Sequence, residues 1–157
     1  LHNDKVLLLE RNPNYVNNRR KAHELEFPGG KYDARLDAVP YYDTALREVR
    51  EETGIILNAK QIKQSAMIIS KTPSNKGSAL FVVNLTSDQV LDVEKLRKRL
   101  NDAIQASPDS REAQDMIWIP VASIKDFVMN NNQSALPLKL RPFNIPYIKQ
   151  LIVENKL

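Results

Sequence analysis

Two spacings of apolar residues alternate along the chain. Residues 6–10 form a short apolar run that closes on Arg11 and predicts a buried strand, which Asn12-Pro13-Asn14 ends. The polar segment up to His23 predicts an exposed loop, and residues 24–27 a second strand turned by Pro28-Gly29-Gly30. Helical spacing begins at Pro40 or Tyr41 and runs to Thr53, with Tyr42, Ala45, Leu46, Val49 and Thr53 on one stripe. Proline is accepted in a first turn and Gly54 stands where a helix is capped. Strands are predicted at 55–57, 65–71 and 79–85, the last two joined as a hairpin through a turn at 73–77. Val90, Leu91, Val93, Leu96, Leu100, Ala103 and Ile104 predict a helix over 88–106. A loop at 107–114 leads to a strand at 116–120, in which Trp118 alternates with apolar neighbours and reads as core. Helices at 123–130 and 144–155, separated by a loop over 130–137, close the chain, with no repeat and no second domain.

The charged residues change this picture at one helix. Glu48, Glu51 and Glu52 stand at i, i+3 and i+4 and share a face distinct from the apolar stripe. Like charges so spaced weaken a helix by about 0.2–0.5 kcal/mol per pair, a cost that a divalent cation reverses. Magnesium takes oxygen ligands and is commonly held by a few carboxylates together with substrate phosphates. The alternative is a solvated face neutralised by Arg47 and Arg50. The two glycines ahead of the helix allow positive φ and close approach to the backbone.

Other candidates are weaker. Arg19, Arg20 and Lys21 lie in the polar loop before the glycines, where they either meet substrate phosphates or are simply solvated. The run Lys95-Leu96-Arg97-Lys98-Arg99 has the look of a nucleic-acid patch, but basic side chains that snorkel around an apolar stripe give the better reading. His2 and His23 lack the spacing of a zinc site, and no hydroxyl sits in a nucleophile elbow.

Composition narrows the classes. The chain has 157 residues, 42% of them hydrophobic and 27% charged, which suits one soluble domain with a real core. No apolar run is long enough to span a bilayer and no secretory pattern opens the chain, so a cytosolic setting is the default. The absence of cysteine excludes thiolate metal sites and cysteine nucleophiles. A net charge of +4 suits an anionic ligand without specifying one.

The string Arg47-Glu48-Val49-Arg50-Glu51-Glu52-Thr53-Gly54-Ile55 resembles the second half of the Nudix (MutT-like) box, G-x5-E-x7-R-E-U-x-E-E-x-G-U with U a bulky aliphatic residue, and the lead-in Glu26-Phe27-Pro28-Gly29-Gly30-Lys31 resembles the approach to its first glycine. Gly30 to Arg47 is a step of 17 where the family has 14, so three residues are inserted. Val39 stands where the family has its first glutamate, and Asp37 or Asp43 is left to replace it.

The resemblance implies a Nudix-type α/β/α sandwich with a mixed sheet, a single Nudix domain over 1–157 lacking its first N-terminal strand. It implies hydrolysis of a nucleoside diphosphate linked to another group X, with Mg2+, or Mn2+ in its place, as cofactor. Glu48, Glu51 and Glu52 would bind the metal together with the Gly30 carbonyl, Arg47 would orient a glutamate, and Lys31 would contact a phosphate. In many family members a carboxylate on a loop outside the box serves as general base or extra ligand; Glu112 and Asp115 are the candidates, Glu112 the favoured one for its reach. The partner is a nucleotide, with capped RNA included and no membrane. Pro73 hints at ADP-ribose-cleaving relatives and the Phe27-Pro28-Gly29-Gly30-Lys31 lead-in at triphosphate-cleaving ones. The alternative function is a Nudix-shaped module that binds a nucleotide without cleaving it, which the Val39 position and the insertion favour.

Overall fold

Strand β1 (Lys5–Arg11) is buried on both faces: Leu8 and Leu9, which point to opposite sides, are 0% and 1% exposed. A strand of that kind needs a layer on each side. The computed structural model, which describes residues 1–15, 23–71 and 77–157, supplies both. A four-stranded sheet runs in the order β5-β1-β2-β6, with β2 (Glu24–Glu26), β5 (Ala113–Pro120) and β6 (Lys139–Leu140). β1 is antiparallel to β2 and β5, and β2 is parallel to β6, so the sheet is mixed.

One face of the sheet carries Val6, Leu8, Leu25, Ile119 and Leu140 against α4 (Val121–Asn130) and α5 (Ile145–Val153) through Ile124, Phe127, Val128 and Ile148. The other carries Leu7, Leu9 and Met116 against α1 (Tyr42–Thr53) and α3 (Ser87–Ala106) through Val49, Val93, Leu96 and Leu100. The result is the expected α/β/α sandwich. A separate antiparallel hairpin, β3 (Ala66–Lys71) with β4 (Gly77–Val82), packs through Ile68 and Leu80 on Tyr147 and Leu151 of α5.

Departures from the expected elements are local. Residues 55–57 are not a strand: Ile55 is buried, Ile56 is 71% exposed, and the Ile56 carbonyl accepts from Gln89 Nε2 at 2.8 Å instead of from a neighbouring strand. The chain there is a short bridge into α2 (Ala59–Gln64), a helix with no predicted counterpart, started by a reciprocal capping box between Asn58 and Gln61. The two-residue strand β6 was also not expected, nor the 3-10 turns at Gln133–Ala135 and Pro142–Asn144 on either side of it. Most of the predicted 73–77 turn, Pro73 included, lies outside the described residues, as do Arg19, Arg20 and Lys21. Among the described residues no helix is long and apolar enough to cross a membrane.

Candidate active site

The start of α1 is fixed by the inserted segment. Leu36 and Asp37 N–H groups donate to the Asp33 carbonyl at 3.0 and 2.8 Å, forming a turn that delivers Asp37 inward. Asp43 accepts from the Val39 N–H at 2.7 Å, which places an acid at the helix start, where the dipole favours it. Tyr41 takes φ 69° just before the helix, so Pro40 falls outside it. At the other end Gly54 has φ 75°, and its N–H reaches the Arg50 carbonyl at 2.9 Å; a Cβ there would also meet Leu96 at 2.7 Å.

Between these ends Arg47 is clamped from two sides. Its Nε and Nη2 grip Asp37 Oδ1 and Oδ2 at 2.9 and 3.0 Å, and Nη2 also reaches the Lys31 carbonyl at 3.0 Å. Nη1 donates to Glu48 at 2.7 Å and to Glu51 at 3.2 Å. Asp37, fully buried and also accepting from Thr44 at 2.8 Å, is held well below the usual carboxylate range, foremost by the Arg47 guanidinium. Asp37 is thus the fork that aims Arg47, and Asp43 serves the helix start. The side chain at the family's first glutamate position, Val39, is half exposed.

Gly30 sits directly on Glu48: an added Cβ would fall into that carboxylate. This close approach is the use made of the glycine, since neither Gly29 nor Gly30 adopts positive φ. Glu52 accepts from the Gly29 N–H at 2.7 Å. Burial pushes the Glu52 carboxyl up to about 8; the Gly29 N–H pulls it back, and the charges of Glu26, Glu48 and Glu112 add to the rise.

Glu26 belongs to a feature that the sequence reading missed. Along β1, Leu7, Leu9 and Arg11 share the face that α1 covers, and Glu26 of β2 lies opposite Leu9 on that same face. Arg11 Nη1 pairs with Glu26 Oε1, Arg11 Nη2 with Glu112 Oε1 at 2.7 Å, and Arg141 Nη1 with Glu26 Oε2 at 2.5 Å. Taken in the strand order β5-β1-β2-β6, Glu112, Arg11, Glu26 and Arg141 form a row of alternating charge across the end of the sheet, close enough for both acids to act on Glu52. An inward acid on β2 and an arginine closing a buried strand were the available signals, but their pairing depends on register. Of the two candidate acids, Glu112 lies on this row, while Asp115 is within β5 and is gripped by Arg97 of α3 at 2.7 and 2.8 Å.

The donor set suits a hard divalent cation, since it offers carboxylates, a backbone carbonyl, no sulfur and no imidazole. Glu48, Glu52 and the Gly30 carbonyl could hold one, with Glu51 at the exposed edge, 56% open on its side chain. Arg47 draws Glu48 and Glu51 toward itself, and among the described residues no three acidic or histidine side chains are grouped as metal ligands. The Lys31 side chain is exposed beside the turn. On α3, Lys95, Arg97 and Lys98 are paired with Asp92, Asp115 and Asp102, as a solvated basic face requires.

A family model described as the NUDIX domain matches residues 1–139. No curated protein matched the chain.

Proposed function

The chain belongs to the Nudix family of hydrolases, which generally use divalent metals and act on nucleotide-like small molecules, and we propose that it is a magnesium-dependent pyrophosphohydrolase of a nucleoside diphosphate linked to X. The observation that carries this reading is the glycine turn pressed onto two helix carboxylates, with Glu48 beneath Gly30 and Glu52 held by the Gly29 N–H, while Arg47 reaches both Glu48 and Glu51. The reaction adds water across a P–O–P bond. A bound magnesium ion, or manganese in its place, neutralises charge on the diphosphate and makes water more acidic.

Glu48, Glu51, Glu52 and the Gly30 carbonyl would hold that ion, and the chain's own groups do the rest. Arg47, fixed by Asp37, orients the glutamates through charge-assisted hydrogen bonds. Lys31 offers an exposed ammonium to a phosphate beside the turn, and Arg19 and Arg20 are assigned the same role from their place in the sequence. Glu112, on the site side of the β5 lead-in, takes a proton from water; Glu112→Gln is expected to lower kcat about 10²-fold. The setting is cytosolic.

Hydrolysis of a panel of nucleoside triphosphates, nucleotide sugars, dinucleoside polyphosphates and capped RNA, with and without magnesium, tests the proposal. Product released only with metal is the expected result. Binding of a nucleotide without release of product would instead support the non-catalytic module, a reading favoured by Val39 at a ligand position and by the hold of Arg47 on Glu48 and Glu51.

A further inference from the structure

The charge row ends in a cation that no step above uses. Arg141 follows β6, the edge strand, and its N–H donates to the Leu25 carbonyl at 2.8 Å, which fixes its backbone beside β2. Because β6 runs parallel to β2 with Leu140 opposite Leu25, the chain leaves both strands in one direction, and Arg141 emerges at the end where β2 turns into Gly29 and Gly30. Leu140 faces α4 and α5, so the next residue faces the α1 side, which holds the carboxylates. Glu26 Oε2 confirms the placement by accepting from Arg141 Nη1, and Glu26 is itself a neighbour of Glu52.

The two arginines of the row are in different states. Arg11 lies between two acids with 6% of its side chain exposed, while Arg141 keeps 31% exposed and, among the described residues, has one acid for a partner. A guanidinium has five N–H donors in a fixed fork. Nη1 anchors Arg141 to Glu26, and nearly a third of the side chain stays open to solvent. That geometry suits a second, bidentate anion. The residue lies just past the segment that the family model matches.

We propose that Arg141 is a substrate-binding residue that grips a phosphate of the diphosphate group, with Glu26 as the positioning residue that aims it. The inference rests on the functional reading above, for it takes the same site and names its cation. A purely structural Arg141 would hold Glu26 and do nothing more.

The test uses inorganic diphosphate with magnesium as the probe, its binding measured by calorimetry on the parent, Arg141→Met, Arg141→Lys and, as a control for the loss of one charge, Lys98→Met on α3. Expected are a Kd for diphosphate raised about 10-fold or more in Arg141→Met, partial recovery in Arg141→Lys and no change in Lys98→Met. For whichever nucleotide the parent cleaves, KM rises with kcat little changed. Melting temperature reports the structural share, since Glu26 keeps Arg11. If the parent cleaves a nucleotide while Arg141→Met leaves KM and the diphosphate Kd unchanged, the inference falls and the functional reading stands. If the parent cleaves nothing but binds diphosphate, and Arg141→Met loses that binding, the functional reading falls and the inference stands. A parent that neither cleaves nor binds overturns both.

Discussion

Helices α1 and α3 are both rich in charge, and they dispose of it in opposite ways. On α3 both lysines have a nearby acid in water: Lys95 with Asp92, Lys98 with Asp102, both pairs more than half exposed on every side chain. On α1 the acids face a glycine turn, and the Glu52 carboxyl is pushed up to about 8 because burial and three acidic neighbours outweigh the Gly29 N–H. Charge density is similar in the two helices. What separates a candidate site from a solvated face is charge held under desolvation without full neutralisation.

Glu52→Gln is the largest break in that comparison. It removes a half-buried carboxyl group from the proposed metal site and is expected to lower kcat by about 10²-fold or more at saturating magnesium, with the fold retained; near-normal turnover at limiting magnesium would remove Glu52 from the site. The charge also has a pH signature in the metal-free protein. The Glu52 carboxyl rises from an ordinary 4.5 to about 8 on folding, so the folded state favours the protonated form. The associated stability is fully present below pH 4.5 and is lost as pH rises through about 8, a change of about 2–4 kcal/mol. Urea titrations across pH 5 to 9 should show this decline, Glu52→Gln should flatten it, and magnesium should reduce it by stabilising the ionised carboxylate. A slope identical in parent and variant would assign the pH dependence elsewhere.

Gly30→Ala is a milder intervention, because the new methyl displaces the Glu48 carboxylate without removing it. Turnover should fall about 10-fold while the melting temperature changes little; an unaltered kcat would mean that the approach of Gly30 to Glu48 has no part in catalysis. Smallest of all is Lys98→Met on α3. Its pair with Asp102 is exposed, so stability should move by less than about 0.5 kcal/mol and activity not at all.

The sequence carried α1 well because three signals agree there: a carboxylate face at i, i+3 and i+4, an apolar stripe and a terminal glycine. The sandwich was implied by the resemblance to the Nudix box, while the apolar run of β1, which has no polar alternation, predicted only that this strand is buried. Residues 55–57 misled because three aliphatic residues read alike in a strand and in a bridge between two helices. The helix α2 was legible only through Asn58 and Gln61, a capping pair three apart, since Ile62 is the one buried residue within it. β6 has two residues and therefore no period to read. The charge row was invisible for a different reason: Arg11, Glu26, Glu112 and Arg141 meet through strand order and register, which no local window contains.

That row has a temporal side as well. Its members lie at positions 11, 26, 112 and 141, so during synthesis Arg141 is the last of them to leave the ribosome. Until then Glu26 has Arg11 and no second cation, and β2 has an unpaired edge where β6 will later lie. Contacts this distant in sequence close late and slowly. The row is therefore complete only once residue 141 has been made, and a nascent protein that already has α1, α3, α4 and the strands β1, β2 and β5 still lacks the cation that joins Glu26 from the β6 side.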